Sequence, residues 1–77
     1  MKVKNIKVGQ RVQFKGYPNG AESRIAINAV GTIVEMSVFT DHPRVAWDGY
    51  TNLRTDVKGY EGSVWLMDCK YLRKYKD

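Results

Sequence analysis

The chain has 77 residues, of which 43% are apolar, 27% are charged and 12% are aromatic, and its net charge is +5. A chain this short buries only about 60–65% of its unfolded surface, which leaves little room for a secluded catalytic cavity. The aromatic content argues against a disordered chain. We therefore interpret residues 1–77 as a single globular domain.

Cysteine and histidine are too scarce for a structural metal site. Cys69 is the single cysteine and His42 the single histidine, whereas structural zinc usually takes four such ligands. One cysteine also excludes an internal disulfide, and no signal-like apolar run follows Met1. No stretch reaches the roughly 20 apolar residues that span a bilayer. We expect a cytoplasmic protein with no metal, no cofactor and no membrane partner.

Short alternating apolar runs between turn residues predict an all-β fold. In chain order, strands are expected at 11–16, 31–39, 43–49, 63–68 and, after one helical turn, within 69–75. Val12 and Phe14 share the inward face of the first strand. Gly31 opens the strongest strand, where a bulge or sharp bend would suit a small barrel.

The segments between these strands contain turn and loop signals. Pro18 and the following Asn-Gly favour a turn over 17–23. Residues 24–30 alternate, with Ile25 and Ile27 on one side, so they form either a strand or part of an ordered loop. Residues 50–62 are polar and predict a long loop. Because closing five strands protects the sheet edges, we expect a small five-stranded barrel.

The order of four motifs resembles the SH3-like barrel of KOW, Tudor and related small domains. The motifs are "VGQRVQF", "GTIVEM", "RVAWDG" and "SVWLMDCKYLRKY", which together cover roughly residues 8–75. The resemblance implies a short 3-10 turn before the last strand. It also implies that the first and last strands lie side by side.

"GTIVEM" and "GSVWLMDCKYL" are also similar to strands of the type II dihydrofolate reductases, which are tetramers of small SH3-like barrels. The functional residues of that family do not carry over. Where the family has Gln-Ile-Tyr, this chain has Trp65, Leu66 and Met67, and the position of a family lysine falls on Phe14. The similarity supports the fold and argues against reductase activity.

The positive charge is concentrated at the two ends of the sequence. Residues 1–16 carry +5, residues 17–69 carry −3 and residues 70–77 carry +3. Adjacent first and last strands would merge the two ends into one basic face that could bind phosphates. The candidate contacts are Lys4, Lys7, Arg11, Lys15, Lys70, Arg73 and Lys74. The alternative is that these cations only keep a small barrel soluble and block edge pairing.

Aromatic residues supply further candidates. Tyr50 and Tyr60, in the polar loop, could stack on nucleic-acid bases or could pin the loop to the barrel. Trp65, Tyr60 and Trp47 are the candidates for a protein interface, possible self-association included. A methyl-lysine cage of Trp47, Tyr50, Tyr60 and Asp48 is a weaker hypothesis, since Trp47 also alternates as a core residue would.

Catalytic signals are scarce. His42 lies between Asp41 and Pro43 in a turn, and no nucleophile stands at a recognisable spacing from it. Cys69 is expected to be a buried, inert thiol. We predict a non-catalytic binding module. The lead hypothesis is low-specificity RNA or DNA binding, and the alternative is a protein-interaction adaptor of the kind that mobile elements and phages encode.

Overall fold

The structure, a computed structural model, describes residues 5–36, 42–55 and 57–76. These residues form one antiparallel sheet of five strands, which confirms the all-β prediction. The strands are β1 (Arg11–Phe14), β2 (Val30–Glu35), β3 (Arg44–Trp47), β4 (Val64–Leu66) and β5 (Leu72–Lys74). Residues 37–39, the end of the second predicted strand, lie outside the described residues.

A 3-10 turn over Cys69–Tyr71 precedes β5, as predicted. Its N-terminus is capped by Asp68, whose carboxylate accepts a hydrogen bond from the backbone N–H of Lys70 at 3.1 Å. In the part of the chain that the structure describes, no helix has the length and apolar character needed to cross a membrane.

The strand order is β4-β3-β2-β1-β5, so the chain meanders through four strands and then returns to β1. Gln13 lies opposite Arg73 in the antiparallel β1–β5 pair. Two backbone hydrogen bonds extend this register: Lys15 N–H donates to Tyr71 O at 2.8 Å, and Tyr75 N–H donates to Arg11 O at 3.1 Å. Among the described strands β4 and β5 do not pair, so the sheet is open at that edge.

The core includes buried apolar residues from every strand. Val12 and Phe14 are fully buried on β1, as predicted, and Leu72 faces Phe14 from β5. The buried cluster consists of Ile6, Val12, Phe14, Ile25, Ile33, Val45, Trp47, Met67, Cys69 and Leu72. Because β1 and β5 both bury apolar side chains here, their outer side chains share one surface.

Gly31 permits a close approach between strands, which differs from the predicted bulge at this residue. The register irregularity lies farther along β2, between Ile33 and Glu35. A Cβ on Gly31 would lie 2.6 Å from Val45 Cγ1 and 2.8 Å from Ala46 O. The glycine therefore lets β3 pack against β2.

Residues 24–29 form a loop, and the predicted shared side of two isoleucines is wrong. Ile25 is 1% exposed, whereas Ile27 is 63% exposed. The alternation fails because Ala29 N–H donates to Ala26 O at 3.0 Å, which makes a turn, and because Asn28 has a φ of 72°. The polarity pattern of this segment resembles that of a strand, but its backbone turns.

Residues 50–62 form the expected loop, and the loop folds back on β4. Leu53 N–H donates to Gly62 O at 2.7 Å, and Arg54 forms an isolated antiparallel bridge with Val64. The loop therefore covers β4, the strand farthest from β5 in the sheet order.

Candidate functional site

The pairing of β1 with β5 brings the basic N-terminal and C-terminal segments together, as the resemblance implied. We use the name terminal surface for the exposed side chains of residues 7–15 and 70–76. Neighbouring strands lie about 4.8 Å apart, so cations on β1 and β5 are close neighbours. Lys4, a predicted phosphate contact, lies outside the described residues.

Arg11 is engaged by an acid from the end of β3. Its Nη1 donates to Asp48 Oδ1 at 3.0 Å and to Thr32 Oγ1 at 2.9 Å, and its Nη2 donates to Asp48 Oδ2. The hydrogen bonds from Arg11 lower the pKa of Asp48, and the Arg11 charge adds to this against a small opposing effect of burial. The bidentate pair offsets the Arg11 charge, so Arg11 is a weaker phosphate contact than the sequence predicts.

Arg73, in contrast, is held by neutral partners. Its Nε donates to Gln13 Oε1 at 2.9 Å, and its Nη2 donates to Asn28 Oδ1 at 2.9 Å. Gln13 is itself fixed, because its Nε2 donates to the backbone oxygen of Asn28 at 2.9 Å. Among the described residues no acid pairs with Arg73. Arg73 therefore keeps its full charge in a fixed orientation, and its planar guanidinium can donate hydrogen bonds to the oxygens of a phosphate.

The lysines of the terminal surface are exposed, and most have no acidic partner among the described residues. Lys7, Lys15 and Lys74 form no ion pair there. Lys70 Nζ lies 3.8 Å from Asp68 Oδ2, which is a long ion pair, and the Lys70 side chain is 66% exposed. These ammonium groups are available to a polyanion.

Lys74 is separated from Arg73 by the alternation of β5. It lies in register with buried Val12, so its side chain leaves the sheet edge on the side opposite Arg73. The predicted basic face is thus divided: Lys15 and Arg73 share the outer side, and Lys74 lies around the edge.

An open groove lies at one end of the terminal surface, beside the 3-10 turn. It has a volume of about 540 Å³ and is lined by Lys15, Gly16, Pro18, Lys70 and Tyr71. A second groove of about 510 Å³ adjoins it, since the two share Pro18 and Tyr71 as lining residues. Together they form a shallow apolar depression with a lysine on either side.

Two perpendicular tyrosine rings shape this depression. The ring centroids of Tyr17 and Tyr71 are 4.8 Å apart at an interplanar angle of 89°. Tyr17 O–H points to the sulfur of Met67 at 3.9 Å. Sequence analysis missed Tyr17 and Pro18 as site residues, because "YPNG" was interpreted as a turn signal alone. A Tyr-Pro pair flanked by lysine was the available signal.

The loop tyrosines differ from each other. Tyr50 O–H accepts a hydrogen bond from Ala26 N–H at 2.8 Å, and Tyr50 O accepts one from Ser63 Oγ at 2.6 Å. Tyr50 therefore pins the 50–62 loop to the 24–29 loop, a packing role of the kind that was the alternative to stacking. Tyr60 is 43% exposed and faces solvent.

The two tryptophans differ in accessibility. Trp47 is 1% exposed, and its Nε1 donates to Trp65 O at 3.3 Å, so a partner cannot contact its ring. Trp65 is half-buried, with the Arg24 guanidinium 5.1 Å from its ring centroid. Burial of Trp47 and the engagement of Asp48 by Arg11 also remove two members of the hypothetical methyl-lysine cage.

The remaining titratable candidates are His42 and Cys69. His42 Nε2 lies 3.8 Å from Asp68 Oδ2 in an exposed position, and the Cys69 thiol is buried, as expected. Asp41 lies outside the described residues. Within 5–36, 42–55 and 57–76, no three His, Cys, Asp or Glu side chains are grouped so that they could hold a metal ion.

Comparison with known proteins identifies no relative from which a function could be transferred. No protein-family model, no curated protein and no solved structure gives a significant match to this chain. The geometry of the terminal surface is therefore the basis for a functional proposal.

Proposed function

We propose that this chain is a non-catalytic SH3-like barrel that binds nucleic acid with little sequence specificity through its terminal surface. The observation that carries the proposal is the pairing of β1 with β5, which places Lys15 and Arg73 on one outer side without acidic partners among the described residues.

The barrel part of the proposal is supported by the strand order. A four-strand meander followed by a short 3-10 turn and a last strand that returns to β1 is the arrangement of SH3-like barrels. The core supports it as well, because Leu72 of β5 and Val45 of β3 belong to the same buried cluster.

The binding part is supported by charge. Lysine and arginine contacts with phosphates release condensed counterions, so they bind nucleic acid in a salt-dependent manner. Such contacts position a protein on the backbone but do not read sequence. Lys7, Lys15, Lys70, Arg73 and Lys74 would supply them here, with Arg11 contributing less because of Asp48.

The non-catalytic part is supported by the use of the described acids. Asp48 pairs with Arg11, Glu35 pairs with Arg44 at 3.0 Å, and Asp68 caps the 3-10 turn. The pKa of Glu61 is lowered by hydrogen bonds from its own backbone N–H and from Gly59 N–H, the latter at 3.1 Å. Each of these carboxylates therefore has a structural role.

The test is a fluorescence-anisotropy titration of single- and double-stranded DNA and RNA at about 50 and 200 mM salt, a range over which several phosphate contacts cost orders of magnitude in affinity. Lys15→Glu should weaken binding and lower the salt dependence. Lys58→Glu is the matched control, because it makes the same charge change at an exposed lysine of the 50–62 loop, outside the terminal surface. Equal effects of the two variants would show that only net charge matters and would contradict a localised surface.

A protein-interaction adaptor is the second candidate. It is favoured by the exposure of Tyr60 and by a small depression of about 120 Å³ lined by Arg54, Trp65 and Leu66. None of these residues belongs to the terminal surface. Adaptor binding would be less sensitive to salt and would be lost with Tyr60→Ala and retained with Lys15→Glu.

A further inference from the structure

Aromatic residues flank the cations of β5, with Tyr71 in the 3-10 turn before the strand and Tyr75 directly after it. In the register extended by the two backbone hydrogen bonds, Tyr71 lies opposite Lys15, Arg73 opposite Gln13 and Tyr75 opposite Arg11. Arg73 and Tyr75 are alternate residues in this extended register and lie about 6.6 Å apart, whereas Tyr71 belongs to the 3-10 turn and packs partly against the core. The interval between Arg73 and Tyr75 is comparable to the separation of neighbouring bases in an extended single strand.

Tyr71 also forms a wall of the open groove. Pro18 faces the same space, and Lys15 and Lys70 lie on its two sides. The Lys70 ammonium is 5.2 Å from the Tyr71 ring centroid. No hydrogen bond links the Tyr71 hydroxyl to any described residue. The groove thus combines a planar aromatic wall with cations at a short distance, which is the pairing that a base with its own phosphate requires.

A duplex does not match this groove. In a duplex the faces of the bases are already stacked on one another, and only groove edges and phosphates are presented to a protein. A single strand exposes base faces, and these stack on aromatic side chains regardless of sequence. The charge of the groove rim favours a polyanion over a neutral peptide.

We propose that the ligand of the terminal surface is a single-stranded nucleic acid that runs along β5. One base stacks against Tyr71 and Pro18, a neighbouring base lies toward Tyr75, and the phosphates between them contact Lys15, Lys70 and Arg73. This inference rests on the proposed nucleic-acid function, and it assigns stacking to Tyr71 in place of the loop tyrosines.

The experiment compares fluorescein-labelled oligothymidylate and oligouridylate with a hairpin duplex that has the same number of phosphates. Wild-type protein should bind the single strands more tightly than the duplex. Tyr71→Leu should weaken single-strand binding roughly tenfold, the size of effect that loss of one stacked base produces, and should leave duplex binding unchanged. Tyr71→Phe keeps the ring and should keep the affinity.

Because Tyr71 packs against the core, Tyr71→Leu is first checked by thermal melting. If that variant does not fold, the wild-type protein is crosslinked to oligothymidylate carrying 5-iodouracil, and the adducts are mapped by mass spectrometry. Adducts on Tyr71 or Tyr75 support the inference. Adducts confined to Tyr60 or Trp65 overturn it.

The two proposals fail in different ways. Equal binding of single strand and duplex that falls with Lys15→Glu and is unaffected by Tyr71→Leu would retain the nucleic-acid function and overturn the single-strand inference. Absence of binding to every oligonucleotide at low salt would overturn both.

Discussion

Two regions of this molecule, the 50–62 loop and the terminal surface, combine aromatic and basic residues. The tyrosines of the two regions have different surroundings. In the loop over 50–62, the Tyr50 hydroxyl is tied to Ala26 N–H and its backbone oxygen to Ser63. On the terminal surface, the Tyr71 ring borders an open groove between two lysines. The sequence suggested the loop as the stacking site. Composition does not reveal this difference, because it depends on which groups the fold brings within hydrogen-bond distance of each hydroxyl.

The largest expected effect is on the free energy of unfolding. It should distinguish a variant of the buried Trp47, which precedes the loop, from a variant of the exposed Tyr60 within the loop. Trp47→Ala should lower the free energy of unfolding by about 3–5 kcal/mol, because it removes a fully packed ring. That is a large part of the roughly 4–12 kcal/mol expected for a chain of this size. Tyr60→Ala should change it by less than about 0.5 kcal/mol. Urea unfolding measures both, and similar midpoints would contradict the assigned burial.

The next effect tests whether the loop is a packed scaffold. Gly62 has a φ of +84°, and a Cβ there would clash with the backbone carbonyl of Thr51. Gly62→Ala should therefore destabilise the fold by about 3 kcal/mol through strain and overpacking. Gly59→Ala is the matched control: its φ is +91° but its Cβ would meet nothing within 4 Å. It should cost only about 1–2 kcal/mol.

Thermal melting compares the two glycine variants. Oligonucleotide affinity of the folded fraction should be unchanged in both, because the loop lies away from the terminal surface in the sheet order. Equal destabilisation would show that Thr51 moves aside.

A smaller effect isolates the hydroxyl that pins the loop. Tyr50→Phe removes the acceptor for Ala26 N–H and should cost about 1 kcal/mol. Tyr60→Phe should cost nothing measurable. Hydrogen exchange gives the local readout: the Ala26 amide should exchange faster in Tyr50→Phe than in wild type, and unaltered exchange would mean that this hydrogen bond is not maintained in solution.

The smallest effect concerns the ion pair between Arg11 and Asp48, which weakens Arg11 as a proposed phosphate contact. Since the folded pKa of Asp48 lies below its ordinary 3.8, the pair contributes stability above about pH 4 and loses it as the pH falls through the folded pKa. The Arg11 and Asp48 side chains are 37% and 52% exposed, so the contribution is less than about 1 kcal/mol. Asp48→Asn should therefore be slightly less stable than wild type at neutral pH, and this difference should disappear as the pH falls through the folded pKa of Asp48.

The same variant affects binding in the opposite direction. Asp48→Asn frees the Arg11 charge and should steepen the salt dependence of nucleic-acid binding by up to one phosphate contact. Weaker binding by this variant would indicate that Asp48 serves to orient Arg11 toward the ligand.

Much of the fold could be predicted from the sequence, because strand periodicity is local. Val12 and Phe14 alternate with polar residues and are buried as expected. The segment containing Ile25 and Ile27 could not be predicted in the same way, since its alternation is interrupted by a turn at Asn28 with positive φ. A glycine at position 31 indicates a special backbone position. The sequence does not distinguish a bulge from a close approach between strands, because that depends on the position of Val45 on the neighbouring strand.

The candidate site was predicted only in part. Charge segregation located the terminal surface, because net charge can be counted along the chain. The pairing of Arg11 with Asp48 could not be deduced, since these residues are 37 positions apart and meet only through the sheet. The groove beside Tyr71 was missed for the same reason: Pro18 and Tyr71 are distant in sequence and share a wall only after β5 returns to β1.

The most direct measurement is a two-dimensional amide NMR titration of the labelled wild-type protein with oligothymidylate at low salt. The account predicts that shift changes concentrate in residues 13–18 and 70–75, fade when salt is raised, and spare residues 50–62. Shift changes concentrated in 50–66, or none at all at saturating oligonucleotide, would contradict the claim that the terminal surface binds nucleic acid.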